Sequence, residues 1–227
     1  MTRETQKSIS VALFLILMFG ALKHAAKISP SVTDLAFAFA FLFQVFVPIW
    51  LIEREGRSLS DFKIWLPKIG NRLDWHALWL DLRRVLFFTL LIFPLFFVAY
   101  YGLQMFLAAQ NGRVAHFSPA LPDNLLNFTI TSLLIVAVAE EIFYRGYVQT
   151  TLLKQWSVPV AFFVTNLLFA LGHFIGDYQF GRLLPFFPGL LFSYLVLRSR
   201  SIVGAVLFHG LCNIYAELLR ASYYWSV

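Results

Sequence analysis

Charge is scarce in this chain. Only 13% of its 227 residues are charged, whereas 59% are hydrophobic and the mean hydropathy is +0.73. So few charges cannot cover the surface of a water-soluble domain, which excludes that class and leaves a polytopic membrane protein. Cysteine is scarcer still. A lone Cys212 excludes an intramolecular disulfide framework and any cysteine-cluster metal site. Internal repeats, low-complexity tracts and a second domain are also lacking, so the chain reads as one membrane-embedded domain over 1–227. What is plentiful is phenylalanine, 26 residues of it, suited to lipid-facing and inter-helix packing. The formal charge of +6 reads as topology and not as nucleic-acid binding, because the basic residues sit between apolar runs.

The fold class expected is all-α, a transmembrane helical bundle. A bilayer core of ~30 Å needs ~20 apolar residues per helix. Spans are predicted near 8–23, 33–52, 85–109, 125–152, 158–176, 183–198 and 201–221. That makes seven, or eight if the long third one splits. The sixth, interrupted by Pro185, Pro188 and Gly189, is a candidate broken or re-entrant helix. The first, although it resembles a signal peptide, reads as a retained helix because further spans follow. Between Glu53 and Arg84 lies a basic stretch with Trp65, Trp75 and Trp79, read as an amphipathic interfacial helix. Basic loops stay cytoplasmic, which puts the N-terminus inside. Lys154 and the Arg198/Arg200 pair agree with that orientation, and Lys23 and Lys27 dissent from it.

Ionisable groups at bilayer depth are functional candidates by default. The segment "VAEEIFYRG", Val138 to Gly146, holds three. Glu141 and Arg145 stand i,i+4 in the favourable order for a helical ion pair. Glu140 points about 100° away and has no local partner, which suits a general base. In "FALGH", Phe169 and His173 share a helix face, and His173 falls at the same predicted depth as Glu140. A water between carboxylate and imidazole is a plausible nucleophile. In "HGLCN", His209 and Asn213 share a face of a further helix and could steady a developing oxyanion. Asp177 reads either as a partner that orients His173 or as an ordinary loop acid. Each motif alone also has a bland reading: the Glu–Arg pair as structural glue, each histidine as a packed, hydrogen-bonded residue.

The order of EExxxR, FxxxH and HxxxN resembles the CPBP family, which holds the type II CAAX prenyl endopeptidases and the prokaryotic bacteriocin-processing and immunity relatives called Abi proteins. The likeness covers about 129–216. It implies a glutamate-type intramembrane endopeptidase without a metal or other cofactor. It also implies Glu140 as the base assisted by His173, and His209 with Asn213 as the oxyanion-stabilising pair. Glu141 and Arg145 support the site, Glu141 with a possible direct part, and Phe169 forms the wall behind His173. The partner implied is a membrane-anchored or lipid-modified polypeptide within the bilayer, cut near one end. The location implied is a prokaryotic plasma membrane. Other readings stay open. One is a zinc-dependent membrane metalloprotease, although there is no HExxH. Another is a non-catalytic immunity or scaffold protein. A third is a proton relay or small transporter, which lacks the usual repeat symmetry. The stretch Gly176 to Gly189, dense in Gly and Pro, is expected to shape substrate selection.

Overall fold

A computed structural model describes residues 2–28, 32–64, 66–69, 72–199 and 201–226. Seven helices dominate it: α1 (Arg3–Ile28), α2 (Val32–Arg54), α3 (Trp75–Gln110), α4 (Leu125–Leu153), α5 (Val158–Asp177), α6 (Phe186–Arg198) and α7 (Val203–Ser222). The protein is an all-α polytopic membrane bundle. Among the described residues, six segments are long and apolar enough to cross a bilayer: α1 to α5, and Phe180–Arg198, which ends in α6. The seventh expected span is the 20-residue α7, whose His209, Asn213, Glu217 and Arg220 make it less apolar. The third span does not split. At 36 residues α3 is one helix of ~54 Å, longer than the bilayer core, with Pro94 inside it.

The basic stretch after α2 is not the amphipathic helix expected. It forms a 3-10 turn over Leu59–Phe62 and a two-stranded hairpin, β1 (Lys68–Ile69) with β2 (Arg72–Leu73). Gly56 at φ 67 and Lys63 at φ 58 take left-handed backbone, and Pro67 cannot donate within a helix, so no helix runs through. Helix α3 then starts at Trp75, ten residues before the predicted span. The Asp74 side chain caps it by accepting from Ala77 N at 2.9 Å. Trp65 and Arg200 lie outside the described residues.

Contacts define two ends of the bundle. At one end Arg57 pairs with Glu4, Lys7 with Glu55 at 2.7 Å, and Lys154 approaches Glu4 at 3.9 Å. This ties the start of α1 to the ends of α2 and α4. Lys63 donates to Val196 O at 2.6 Å, where α6 ends and its carbonyls are unpaired. Burial pushes the Lys63 ammonium below the usual lysine range, and Asp81 opposes that. Asp81 itself accepts from Arg84 at 2.8 Å and from Ser199. At the other end β3 (Val114–Phe117) pairs antiparallel with β4 (Tyr223–Ser226), and His24 stacks on Tyr178 with centroids 5.0 Å apart.

Between these ends α1 packs along α5 and α2, and α7 packs against α3 and α6. Helix α4 runs through the middle. Its winding alternates, π-helical over Thr131–Val136 and Glu141–Gln149 and α-helical elsewhere. π-turns of this kind are rare and often occur at functional sites.

Candidate active site

Arg145 is the centre of a polar cluster in the bundle core, with no exposed surface. It donates to Glu141 Oε1 at 3.1 Å, to Asn166 Oδ1 at 2.9 Å and to the Gly189 carbonyl at 3.3 Å. Its guanidinium lies 4.4 Å from the Phe169 ring centroid and 5.1 Å from that of Phe192. Asn166 is held in turn: its Nδ2 donates to Phe162 O at 2.8 Å and to Ser193 Oγ at 2.9 Å. Gln149 donates to Ser193 O at 3.1 Å. Three helices are thereby tied around one cation. A buried charge is tolerated only when its donors find acceptors and its charge a counter-ion.

Glu141 has its counter-ion on one side and a histidine on the other. His209 on α7 meets Glu141 Oε1 through Nδ1 at 2.8 Å. A carboxylate only accepts, so Nδ1 carries the hydrogen in this bond. The His209 ring stacks on Phe192 at 4.7 Å with an interplanar angle of 13°, and its Nε2 faces Glu140 Oε2 at 3.5 Å. That last separation is an electrostatic contact and exceeds hydrogen-bond length. Glu140 Oε2 is buried without a hydrogen-bond partner among the described residues, as is Glu141 Oε2. Two acceptor atoms are therefore left open beside one imidazole.

Glu140 is less enclosed than Glu141, with 16% of its side chain exposed against none. The difference is a cavity of about 200 Å³, lined by Glu140, Tyr144, Gly172 and His173, with α1 and α2 forming the opposite wall. His173 donates through Nδ1 to the Phe169 carbonyl at 3.0 Å, since a carbonyl can only accept. That places a hydrogen on Nδ1 and leaves Nε2 on the other side of the ring. Phe169 stands edge-on to both histidines, at 4.7 Å from His173 and 5.8 Å from His209. A Cβ at Gly172 would stand 3.0 Å from the Tyr144 hydroxyl, a tight contact.

The structure thus brings Glu140, Glu141, Arg145, Phe169, His173 and His209 into one neighbourhood. Asn213 lies one turn beyond His209 on α7 and makes no side-chain hydrogen bond among the described residues. Asp177 is the last residue of α5, and its side chain lies outside the described residues. Among the described residues, no three His, Cys, Asp or Glu side chains converge as a cation site. Sequence reasoning missed Asn166 in the polar cluster and Tyr144, Lys23 and Arg182 in the cavity wall. Asn166 stands seven residues before His173, two turns along the same face of an otherwise apolar helix, which was a usable signal.

The comparisons with known proteins agree with this geography. The family model described as "Type II CAAX prenyl endopeptidase Rce1-like" matches residues 122–215. No curated protein and no solved structure matches the chain. Residues 122–215 therefore carry an Rce1-like domain of the CPBP family, and that domain spans every side chain of the cluster from Glu140 to Asn213.

Proposed function

We propose that the protein is an intramembrane endopeptidase of glutamate type that cuts a membrane-anchored polypeptide near one end. The observation that carries this is the Glu140 side chain, partly exposed and lining a cavity together with His173 inside an endopeptidase-type domain. In this reading a water lies between Glu140 and His173 Nε2. Glu140 takes its proton as the oxygen attacks the scissile carbonyl carbon. The C–N bond then breaks, and the same proton passes to the departing amine. His209, fixed by Glu141 and Phe192, and Asn213 stabilise the oxyanion. Arg145 neutralises Glu141 and so leaves Glu140 as the working carboxylate.

The charge distribution supports a cytoplasmic N-terminus. Lys7, Arg57, Lys63, Arg84 and Lys154 crowd the end of the bundle where α1 begins, and basic segments are retained in the cytoplasm. A prokaryotic plasma membrane remains part of the proposal.

The test compares protein termini in membranes of cells that express the wild type or Glu140→Gln. New C- or N-termini confined to the wild type are expected. Identical termini, with the variant folded and present, would put a binding or scaffold role in place of catalysis.

A further inference from the structure

The cations of the basic end are not all matched within the chain. Lys7, Arg57, Lys154 and Arg84 each stand beside an acid, in Glu55, Glu4, Glu4 and Asp81 respectively. Arg72 on β2 and Arg83 on α3 do not. Both are exposed, and neither side chain has an ion pair or a hydrogen bond among the described residues. From Lys63 to Pro122 the only acids in the sequence are Asp74 and Asp81. Both are buried, one capping α3 and the other held by Arg84 and Ser199.

The aromatic residues of α3 fix the depth of Arg83. Trp75 and Trp79 stand one turn apart on its outer face, 73% and 57% exposed. Toward the other end of α3, Tyr101 lies against Tyr223, and Gln104 accepts from Trp225 Nε1 at 3.1 Å. Tryptophan and tyrosine collect at the two faces of a bilayer. From Trp79 to Tyr101 the helix rises ~33 Å, close to the ~30 Å of a hydrocarbon core. Arg83 lies one turn, ~6 Å, from Trp79 toward the core and shares its face. Leu82 and Leu86 on the same face are exposed as well.

An arginine turned toward lipid at that depth needs an anion, because an unpaired charge is costly at the edge of hydrocarbon. Side chains on a helix lean toward its N-terminus, here toward Trp79, and long cationic ones reach back to headgroup level. The anion at that level is lipid phosphate, whose oxygens a guanidinium matches with paired N–H donors. A zwitterionic headgroup carries its own cation. Two arginines without acid partners favour a headgroup of net negative charge instead.

We propose that the outer face of α3 from Trp75 to Leu86 binds an anionic phospholipid. Its phosphate sits on Arg83, Arg72 adds a second cation nearer the water, and its acyl chains run along Leu82 and Leu86. The site rests on the membrane fold and is independent of the endopeptidase reading.

The experiment uses the full chain in bilayers of phosphatidylcholine and phosphatidylglycerol. One lipid at a time is brominated in its acyl chains, so that it quenches nearby tryptophan. The share of quenching lost with Trp79→Phe isolates this face. At Trp79 the wild type is expected to favour phosphatidylglycerol about 5- to 30-fold, the range for one to two cations at an anionic surface. Arg83→Gln should lower that ratio about 5-fold, and Arg83→Gln with Arg72→Gln should abolish the preference. Arg83→Lys should keep most of it. Arg113→Gln removes the same charge beyond the other end of α3 and should leave it unchanged. Unfolding temperatures equal to wild type in phosphatidylcholine exclude misfolding as the cause. No preference in the wild type overturns the site. An equal fall with Arg113→Gln also overturns it, because the charge of the whole chain would then set the preference. Displacement of the lipid by millimolar inorganic phosphate overturns it as well, since the arginines would then hold a free anion. No quenching of Trp79 by either lipid, in a chain that cross-links as a dimer, overturns it in favour of a second copy on this face.

Discussion

Helix α3 and the Glu141–Gln149 stretch of α4 reverse the arrangement familiar from soluble proteins. Helix α3 is the longest and among the most apolar, yet of its 36 residues only Asp81, Val85 and Ala108 are buried. Many of its apolar side chains face outward, as Leu90, Leu95 and Val98 do. The stretch Glu141–Gln149 is the polar part of its helix, and all nine of its residues are buried. The solvent explains the inversion. Hydrocarbon accepts apolar side chains readily and rejects charges, so ionisable groups collect where other protein groups can pair with them.

If this buried polar region exists for chemistry, changing Glu140, the acid just before that stretch, should do most to activity and least to folding. Glu140→Gln should lower peptide cleavage by about 10²- to 10⁴-fold, the range for loss of a general base. The unfolding temperature should stay near wild type, because Glu140 Oε2 makes no hydrogen bond that the amide would lose. Cleavage rate and thermal unfolding measured on the same preparation check both halves.

Arg145→Ala tests the other function of that stretch. It removes the counter-ion of Glu141 and leaves Asn166 Oδ1 and the Gly189 carbonyl without their donor. Breaking a buried pair from one side typically costs about 3–5 kcal/mol, and unfolding in detergent should show a loss of that order. Arg145→Lys should not restore it, since an ammonium cannot reach three acceptors from a planar fork between Phe169 and Phe192.

Gly189→Ala probes the same cluster with one methyl group. Its Cβ would stand 2.3 Å from Asn166 Oδ1 and 2.9 Å from Arg145 Nη2. Overpacking of this kind costs about 1–3 kcal/mol, and it should lower stability and activity together by moving Arg145. A neutral result would mean that α6 can shift away from α5 without loss.

These residues also mark what was legible in the sequence. The Glu141–Arg145 pair follows from spacing alone, because i and i+4 meet on any helix. The gathering of Glu140, His173 and His209 was legible only as depth counted along three helices. The bond from His209 to Glu141 needed the helices' rotations, which spacing does not supply. The π-helical winding was invisible because π and α turns draw on the same residues. The start of α3 was misread because Asp81, Arg83 and Arg84 look like the charged end of the basic interfacial stretch that begins at Glu53. In the structure Asp81 is buried and held by Arg84 and Ser199, so a charged turn sits inside the helix. Lys23 was seen only as a dissent from topology. Its place in the cavity wall arises from the packing of α1 on α5, a contact between segments far apart in sequence.

The smallest effect should come from the outer face of α3. Leu90 is 68% exposed in the bundle, and in a bilayer that surface meets lipid tails as apolar as leucine itself. Leu90→Ala therefore exchanges one hydrocarbon contact for another and leaves no cavity in the protein. A change within about 0.5 kcal/mol is expected, against the larger loss for the single added methyl at Gly189. Unfolding of both variants in the same detergent measures the contrast directly. A cost at Leu90 as large as that at Gly189 would mean that α3 is covered in the membrane by another protein surface, and its apolar face would then be an interface and not a lipid boundary.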